Sequence, residues 1–403
     1  MNKLPNGWAE YKLKDIMSIS SKRYNPNKDT KNYKCIELEH IESETGILNG
    51  HTNSKDIHSV KNVFEKGEVL YGKLRPYLKK FYLAKFDGVC SSEIWVLKGK
   101  KVINDFLYYF IQQDNFNYIA NVSIGMIMPR ADWSYMSEIS FNIPPLDEQK
   151  RIASALSKID AYLENTIKLI EEKERFKRGI AKKLLTCKEG ENIPEARFKG
   201  FEDEWKKYNL SKIGVSYNGL RNKKANSFVE NCNAKYITYK SVYDKNKIDI
   251  NRLGNVFIGK NENQNLVKYG DVFFTISSET PDEVAISSVL LDEVENTYLN
   301  SFCFGFRFDF NILLPEFARY YFRSDYIRKS TYRLAQGITR YNISKKKFLD
   351  IIIYLPSLEE QEKIGGYLSL LDAEIDNLKK QKELIKEMKR GAMEKLLSGE
   401  VRL

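Results

Sequence analysis

Histidine is nearly missing from this 403-residue chain: His40, His51 and His58 are the three present, all near the start. Their spacing does not set two of them on one helix face around a metal, so they read as loop or surface residues. Cysteine is also sparse. Cys35, Cys90, Cys187, Cys232 and Cys303 are odd in number and scattered, which excludes a disulfide framework and a paired-thiolate metal site. No apolar run approaches the ~20 residues that cross a bilayer. The opening Met1-Asn2-Lys3-Leu4-Pro5-Asn6-Gly7-Trp8 holds no apolar stretch of signal-peptide length. The chain is therefore expected in a reducing cytoplasm, away from membranes.

Catalytic patterns are missing as well. No glycine-rich loop ends in Lys-Ser or Lys-Thr, so no ATP site is expected. Asn142-Ile143-Pro144-Pro145 only superficially matches the Asn-Pro-Pro-aromatic site of adenine methyltransferases, because no aromatic follows. Pro281-Asp282-Glu283 lacks the following lysine of a nuclease carboxylate cluster. Neither a catalytic residue, a metal site nor a cofactor is expected on this chain.

What is present is positive charge and aromatic surface. Lys plus Arg is 65 against 54 for Asp plus Glu, a formal charge of +11, in a chain 42% hydrophobic and 13% aromatic. That balance describes a globular protein, either one with an affinity for polyanions such as DNA, RNA or an acidic membrane face, or a moderately basic one with no nucleic-acid role. Arg75-Pro76-Tyr77 and Arg340-Tyr341 interleave the two residue kinds, as nucleic-acid surfaces do and as a β-rich core with a basic rim equally does.

The chain also repeats itself. Pro144-Pro145-Leu146-Asp147-Glu148-Gln149-Lys150-Arg151-Ile152 returns as Pro356-Ser357-Leu358-Glu359-Glu360-Gln361-Glu362-Lys363-Ile364, a shift of 212 (148 to 360) that continues without a gap to Lys183-Leu184-Leu185 and Lys395-Leu396-Leu397. Upstream, Tyr108-Tyr109 is aligned with Tyr320-Tyr321 and Gly125 with Gly337 at the same shift. Gly67 matches Gly270 at a shift of 203, and Trp8 matches Trp205 at 197. Insertions collect in one part of each copy and avoid the other, as adjustable loops do beside an element of fixed length.

The fixed part is helical. Ile152, Leu156, Ile159, Leu163, Thr166, Ile170, Lys173, Lys177, Ile180 and Leu184 step by four and three, and so do Ile364, Leu368, Leu371, Ile375, Leu378, Lys382, Ile385, Lys389, Ala392 and Leu396. That step keeps a narrow stripe facing a partner helix. Two such helices in one chain can pair; the alternative is that each packs on its own domain. Lysines within the stripe read as solvated or snorkelling. Asp147 reads as a helix cap, Ser357 with Glu360 as a capping box, and Ser398-Gly399 and Lys188-Glu189-Gly190 as stops. Gly179 and Gly391 interrupt the helices at matching places, through close approach of another backbone or as tolerated surface glycines.

The variable parts mix strand-like runs (68–71, 94–97, 271–274 and 302–306) with helical ones (105–111 and 315–322). Four segments follow: globular parts at 1–143 and 193–355, and helical parts at 144–192 and 356–403.

These residues carry a resemblance. The two Pro-x-Leu-Asp/Glu-Glu-Gln blocks, Gly7-Trp8, Pro194-Glu195-Ala196-Arg197-Phe198-Lys199-Gly200-Phe201, Lys73-Leu74-Arg75-Pro76-Tyr77 and Ser277-Ser278-Glu279-Thr280-Pro281 resemble the specificity subunits of Type I restriction–modification enzymes, over nearly the whole chain. The resemblance implies an α+β fold: two mixed, β-rich target-recognition domains joined by two long helices in an antiparallel coiled coil, with a pseudo-twofold repeat. It implies that each domain reads half of a split, asymmetric site in double-stranded DNA. The helices would space the halves and dock two methyltransferase subunits, which use S-adenosylmethionine on adenine N6. Two motor–nuclease subunits consuming ATP with Mg²⁺ would complete the restriction complex.

The loops then expected at DNA are Lys73, Arg75 and Tyr77 with Met128 to Arg130, and Ser277, Ser278, Glu279 and Thr280 with Thr339, Arg340 and Tyr341. Gly337-Ile338-Thr339-Arg340 follows the family's polar turn more closely than Gly125-Met126-Ile127-Met128 does. The rival readings are a coiled-coil scaffold that never touches DNA, which retention on heparin or duplex DNA would test, and a hidden enzyme acting alone.

Overall fold

The computed structural model describes residues 5–122, 128–188, 190–229 and 232–403. The chain divides into two compact units, Met1–Ile167 with Lys380–Leu403, and Lys168–Lys379. The division falls inside both long helices, so each unit owns half of each helix, whereas the sequence sets the helical parts aside as segments of their own.

In the first unit an antiparallel four-stranded sheet runs in the order Met17–Ile19, Ile94–Gly99, Val69–Gly72, Phe81–Leu83. Its side chains alternate between two cores, as the period of a strand requires. Val69, Tyr71, Trp95 and Leu97 face helices Asn104–Phe110 and Asp114–Ala120, while Leu70, Ile94 and Val96 face Ile36, Phe64 and Cys90 of a second sheet. Burial on both faces explains why Val69-Leu70-Tyr71 is apolar throughout. That second, five-stranded sheet contains one parallel pair, Lys34–Ile36 with Gly88–Cys90.

The second unit repeats the plan. Gly214–Asn218, Cys303–Phe308, Val272–Thr275 and Ser287–Val289 form an antiparallel sheet, with Phe274, Phe304 and Phe306 in one core and Phe273 in another.

The helices run Leu146–Leu185 and Leu358–Leu397. Within each unit their segments pair antiparallel. Ile152 and Leu156 share a core with Met393 and Leu396, and Leu184 shares one with Ile364, Leu368 and Leu371. Leu163, Ile170, Ile375 and Ile385 are also buried, and Ile159 and Leu378 are half-buried, so the apolar stripe is the seam.

The lysines of the stripe differ from expectation. Three are ion-paired across the seam, the half-buried Lys173 with Glu374 at 2.7 Å, Lys177 with Asp372, and the buried Lys389 with Asp160 at 2.8 Å, while the half-buried Lys382 pairs with its neighbour Glu383 at 3.3 Å. A buried ammonium must find a carboxylate, because desolvation without one is costly.

Helix ends also need correction. The first helix begins at Leu146, so Asp147 lies inside the first turn, where its charge suits the helix dipole, and is not the cap. Ser357 does cap: its Oγ accepts from the Glu360 N–H at 3.3 Å. The return half of the box is replaced, since the Glu360 carboxylate takes both arms of Arg197, at 2.9 and 2.6 Å. The helices stop at Leu185 and Leu397, before Gly190 and Gly399, both left-handed; Glu189 of the expected stop lies outside the described residues. A Cβ at Gly179 or Gly391 would meet nothing within 4 Å, so close approach of another backbone within the chain does not explain them.

The repeated Glu-Gln is a joint between helix and domain. The Gln149 side chain accepts from Ile103 N–H and donates to the carbonyls of Lys101 and Pro144; Gln361 does the same with Leu314, Ile312 and Pro356. These partners set the repeat at a shift of 211 before the prolines (103 to 314) and 212 after. Tyr109 therefore corresponds to Tyr320, one residue away from the alignment expected at 212: both hydroxyls donate to the equivalent Asp160 and Asp372, at 2.9 and 2.7 Å.

Candidate nucleic-acid interface

Each unit brings its two expected loops together at the end of the same strand. In the first unit the chain leaves Val69–Gly72 through Lys73, turns over Pro76–Leu78 and returns at Lys80, whose carbonyl accepts from Gly72 N–H at 2.8 Å. Arg75 and Lys79 sit in left-handed backbone, φ 52° and 47°. For residues other than glycine that conformation costs about 1–2 kcal/mol each, which the tight turn imposes.

Against this turn lies the segment after Met128. Arg75 N–H donates to Pro129 O at 2.8 Å, Ala131 N–H to Lys73 O at 2.9 Å, and Leu74 forms an antiparallel bridge with Arg130. Arg75, Tyr77 and Met128 are exposed. Gly125-Met126-Ile127 lies outside the described residues.

A residue that the sequence did not single out holds this cluster electrostatically. Glu93 accepts from Arg130 through both oxygens, at 3.0 Å from Nε and 3.1 Å from Nη2, and has Lys73 Nζ at 4.0 Å. The Arg130 guanidinium, with Lys73 behind it, holds the Glu93 carboxyl below its usual range.

The second unit has the same frame with other side chains. Ser277–Ser278 pairs as a strand with Tyr341–Asn342, and Ile343 N–H donates to Ile276 O at 3.1 Å. Lys73 N–H donates to Glu93 O at 3.0 Å, and Ile276 N–H to Phe302 O at 2.9 Å. Lys73 thus corresponds to Ile276, Glu93 to Phe302, and Arg130 to Asn342. The Arg340 guanidinium lies over the exposed Phe302 ring, 5.8 Å from its centre, and its Nε donates to Ser277 Oγ at 3.3 Å.

Not every expected residue is at the surface. Ser277 and Ser278 are buried. Tyr239 donates to Ser277 O at 2.9 Å, and Ser278 Oγ to Glu283 at 2.9 Å, so these serines support the loop. Glu279, Thr280, Thr339 and Arg340 are exposed, and Tyr341 is half-buried. Glu283, held below the usual carboxylate range first by the Tyr243 hydroxyl and then by Ser278, anchors the loop. Among the described residues no cluster of His, Cys, Asp or Glu is arranged for a metal, and no helix is long and apolar enough to cross a membrane.

Glu93 and Phe302 could have been found in the sequence. Glu93 immediately precedes the strand-like run 94–97 and Phe302 opens the run 302–306, so both stand where a legible strand begins.

Comparison with known proteins gives concordant matches. The sequence pattern of the Type I restriction modification DNA specificity domain matches twice, at residues 5–172 and 202–387. The specificity subunit of Type I restriction enzyme MjaVIII from Methanocaldococcus jannaschii is 28% identical over 367 residues, 87% of this chain and 80% of that protein. The Escherichia coli EcoDI specificity subunit is 30% identical over 170 residues, 41% of this chain and 38% of its own length. A chain solved in work on complex assembly and conformational transition of the type I R-M system superposes with a TM-score of 0.63 at 19% identity, covering 100% of both chains. The S subunit from M. genitalium superposes with a TM-score of 0.55 at 16% identity, covering 98% of this chain and 97% of its own. At these identities the structural likeness is one of fold.

Proposed function

The chain belongs to the Type I restriction–modification DNA specificity family, and from that premise we propose that it reads a split site in double-stranded DNA, one half with each unit. The observation that carries this reading is the loop cluster built twice on one backbone frame with different side chains: Lys73, Arg75, Tyr77, Met128 and Arg130 in the first unit, Glu279, Thr280, Thr339, Arg340 and Tyr341 in the second. A shared frame holds both clusters in one manner against a duplex. Different side chains read different bases, so the two half-sites differ and the site is asymmetric.

The boundaries proposed for the reading domains are 1–143 and 193–355, with 144–192 and 356–403 as spacers. A helix of 40 residues is about 60 Å long. At about 3.4 Å per base pair such a spacer serves a site on the order of 15 base pairs. As a specificity subunit the chain selects sequence and leaves chemistry to its partners. Two methyltransferase subunits bound along the helices would use S-adenosylmethionine on adenine, and two motor–nuclease subunits would use ATP and Mg²⁺. The assembly would work in the cytoplasm.

The test is co-expression with the cognate methyltransferase subunit and genome-wide mapping of N6-methyladenine. A split, asymmetric motif that appears only when both chains are present is expected. Co-purification without DNA binding would favour a protein scaffold and overturn the reading.

A further inference from the structure

Resting on that reading, we infer that Glu93 is a positioning residue that holds Arg130 for the O6/N7 edge of a guanine, so that the half-site read by the first unit contains a G·C pair at that place. A guanidinium carries five N–H donors. Glu93 takes the Nε donor and one Nη2 donor, at 3.0 and 3.1 Å. Among the described residues the end of the fork, Nη1 with the second Nη2 proton, takes no partner and remains a coplanar pair of donors on an exposed side chain. Guanine is the base that offers two adjacent acceptors in the major groove.

The surroundings favour a base over a phosphate. Bidentate pairing with Glu93 fixes the plane of the guanidinium, and a base edge needs donors in fixed directions, whereas a phosphate is served by any nearby cation such as Lys73. The clamp also removes rotamer freedom before DNA arrives, which lowers the cost of binding. Its base is rigid: Leu74 bridges Arg130, Ala131 N–H donates to Lys73 O at 2.9 Å, and Glu93 O accepts from Lys73 N–H at 3.0 Å. The second unit carries Phe302 and Asn342 in the places of Glu93 and Arg130, so it lacks this device and reads a different pattern there.

The experiment uses the complex with the methyltransferase subunit. Its methylation motif is mapped for the wild type, Arg130→Ala and Glu93→Gln, and affinity is measured on duplexes carrying guanine or 7-deazaguanine, which lacks N7. In the wild type, 7-deazaguanine at one position of one half-site weakens binding by about fivefold or more. Arg130→Ala binds both duplexes equally and methylates sites with any base at that position. Glu93→Gln relaxes the same position and leaves every other position stringent, which loss of folding would not do.

Uniform weakening on all sequences, with the salt slope lowered by about 1, makes Arg130 a phosphate contact and overturns the inference. A motif that neither substitution relaxes also overturns it. In both cases the wild-type complex still marks a split motif and the reading of a split site stands; if it marks none, that reading falls too.

Discussion

Lys389 and Asp160 form a buried ion pair at 2.8 Å between the two long helices of the first unit, and Lys177 and Asp372, each displaced by 212 positions, form its counterpart in the second. Each helix thus supplies the lysine in one pair and the aspartate in the other. A tyrosine hydroxyl joins each aspartate, Tyr109 at 2.9 Å and Tyr320 at 2.7 Å, and Gln112 accepts from Lys389 at 3.0 Å. The network seats a domain helix and both long helices on one set of charges.

Removing Lys389 takes the cation from beside the half-buried Asp160, which keeps its bond from the Tyr109 hydroxyl. Lys389→Met is expected to destabilise the first unit by about 1–3 kcal/mol, and the double change Lys389→Met/Asp160→Leu by clearly less. Urea denaturation of the four members of this cycle measures the coupling, and additivity within about 0.5 kcal/mol would disprove it.

The tail closes the same unit. Arg402 donates to Glu148 at 3.0 and 2.6 Å, and Trp8 Nε1–H donates to it at 3.1 Å. Arg402, then Trp8, holds the buried Glu148 carboxyl below its usual range. A depressed carboxylate stabilises above its unfolded pKa, about 4.3, and that stabilisation is lost as pH falls through the folded value. Arg402→Ala should lower the thermal midpoint at neutral pH, an effect that solvent reduces because the arginine is exposed. The thermal midpoints of variant and wild type should converge as the solution is acidified.

Gly179 and Gly391 have open space where a Cβ would stand. Gly179→Ala and Gly391→Ala should each stabilise by about 1 kcal/mol, read as a rise in the urea midpoint without a change in slope. Destabilisation by either would mean that the helix needs glycine there for a reason outside the chain.

Arg75 is exposed at the tip of the first cluster and, among the described residues, has no carboxylate clamp like that of Arg130. If it meets a phosphate, Arg75→Ala lowers the slope of log affinity against log salt by about 0.9 and leaves the methylation motif unchanged. An altered motif would instead make it a base contact.

Removing four residues from each long helix shortens it by about 6 Å. The gap between half-sites should then contract by about two base pairs while both half-sites keep their identity. Methylation mapping of the shortened complex checks this, and a changed half-site would refute the spacer role.

Much of the fold was legible because the helical seam and its repetition are local patterns: Ile152 and Ile364 open matching stripes, and both stripes are buried. Even so, the pairing of stripe lysines was not readable, because Asp160 and Asp372 lie off the apolar step and nothing local links Lys389 to Asp160 across 229 positions (160 to 389). The repeated Glu-Gln announced itself by recurrence, but its meaning came from backbone groups such as Ile103 N–H and Lys101 O, which any residue would supply. In the loops, type and place were separable. Arg130 and Arg340 stand out in the sequence by charge and are exposed, while Ser277 and Ser278 look as polar in sequence and are buried, bonded to Tyr239 and Glu283.

The division of the chain bears on how it is made. The second unit is continuous, Lys168–Lys379, whereas the first needs Lys380–Leu403 beside Met1–Ile167. On a translating ribosome Ile152 and Leu156 lack their Met393 and Leu396 neighbours until residues 380–403 have been made, by which point every residue of the second unit is already available. Completion of the unit that residues 1–167 begin is thus deferred until the other unit has been synthesised.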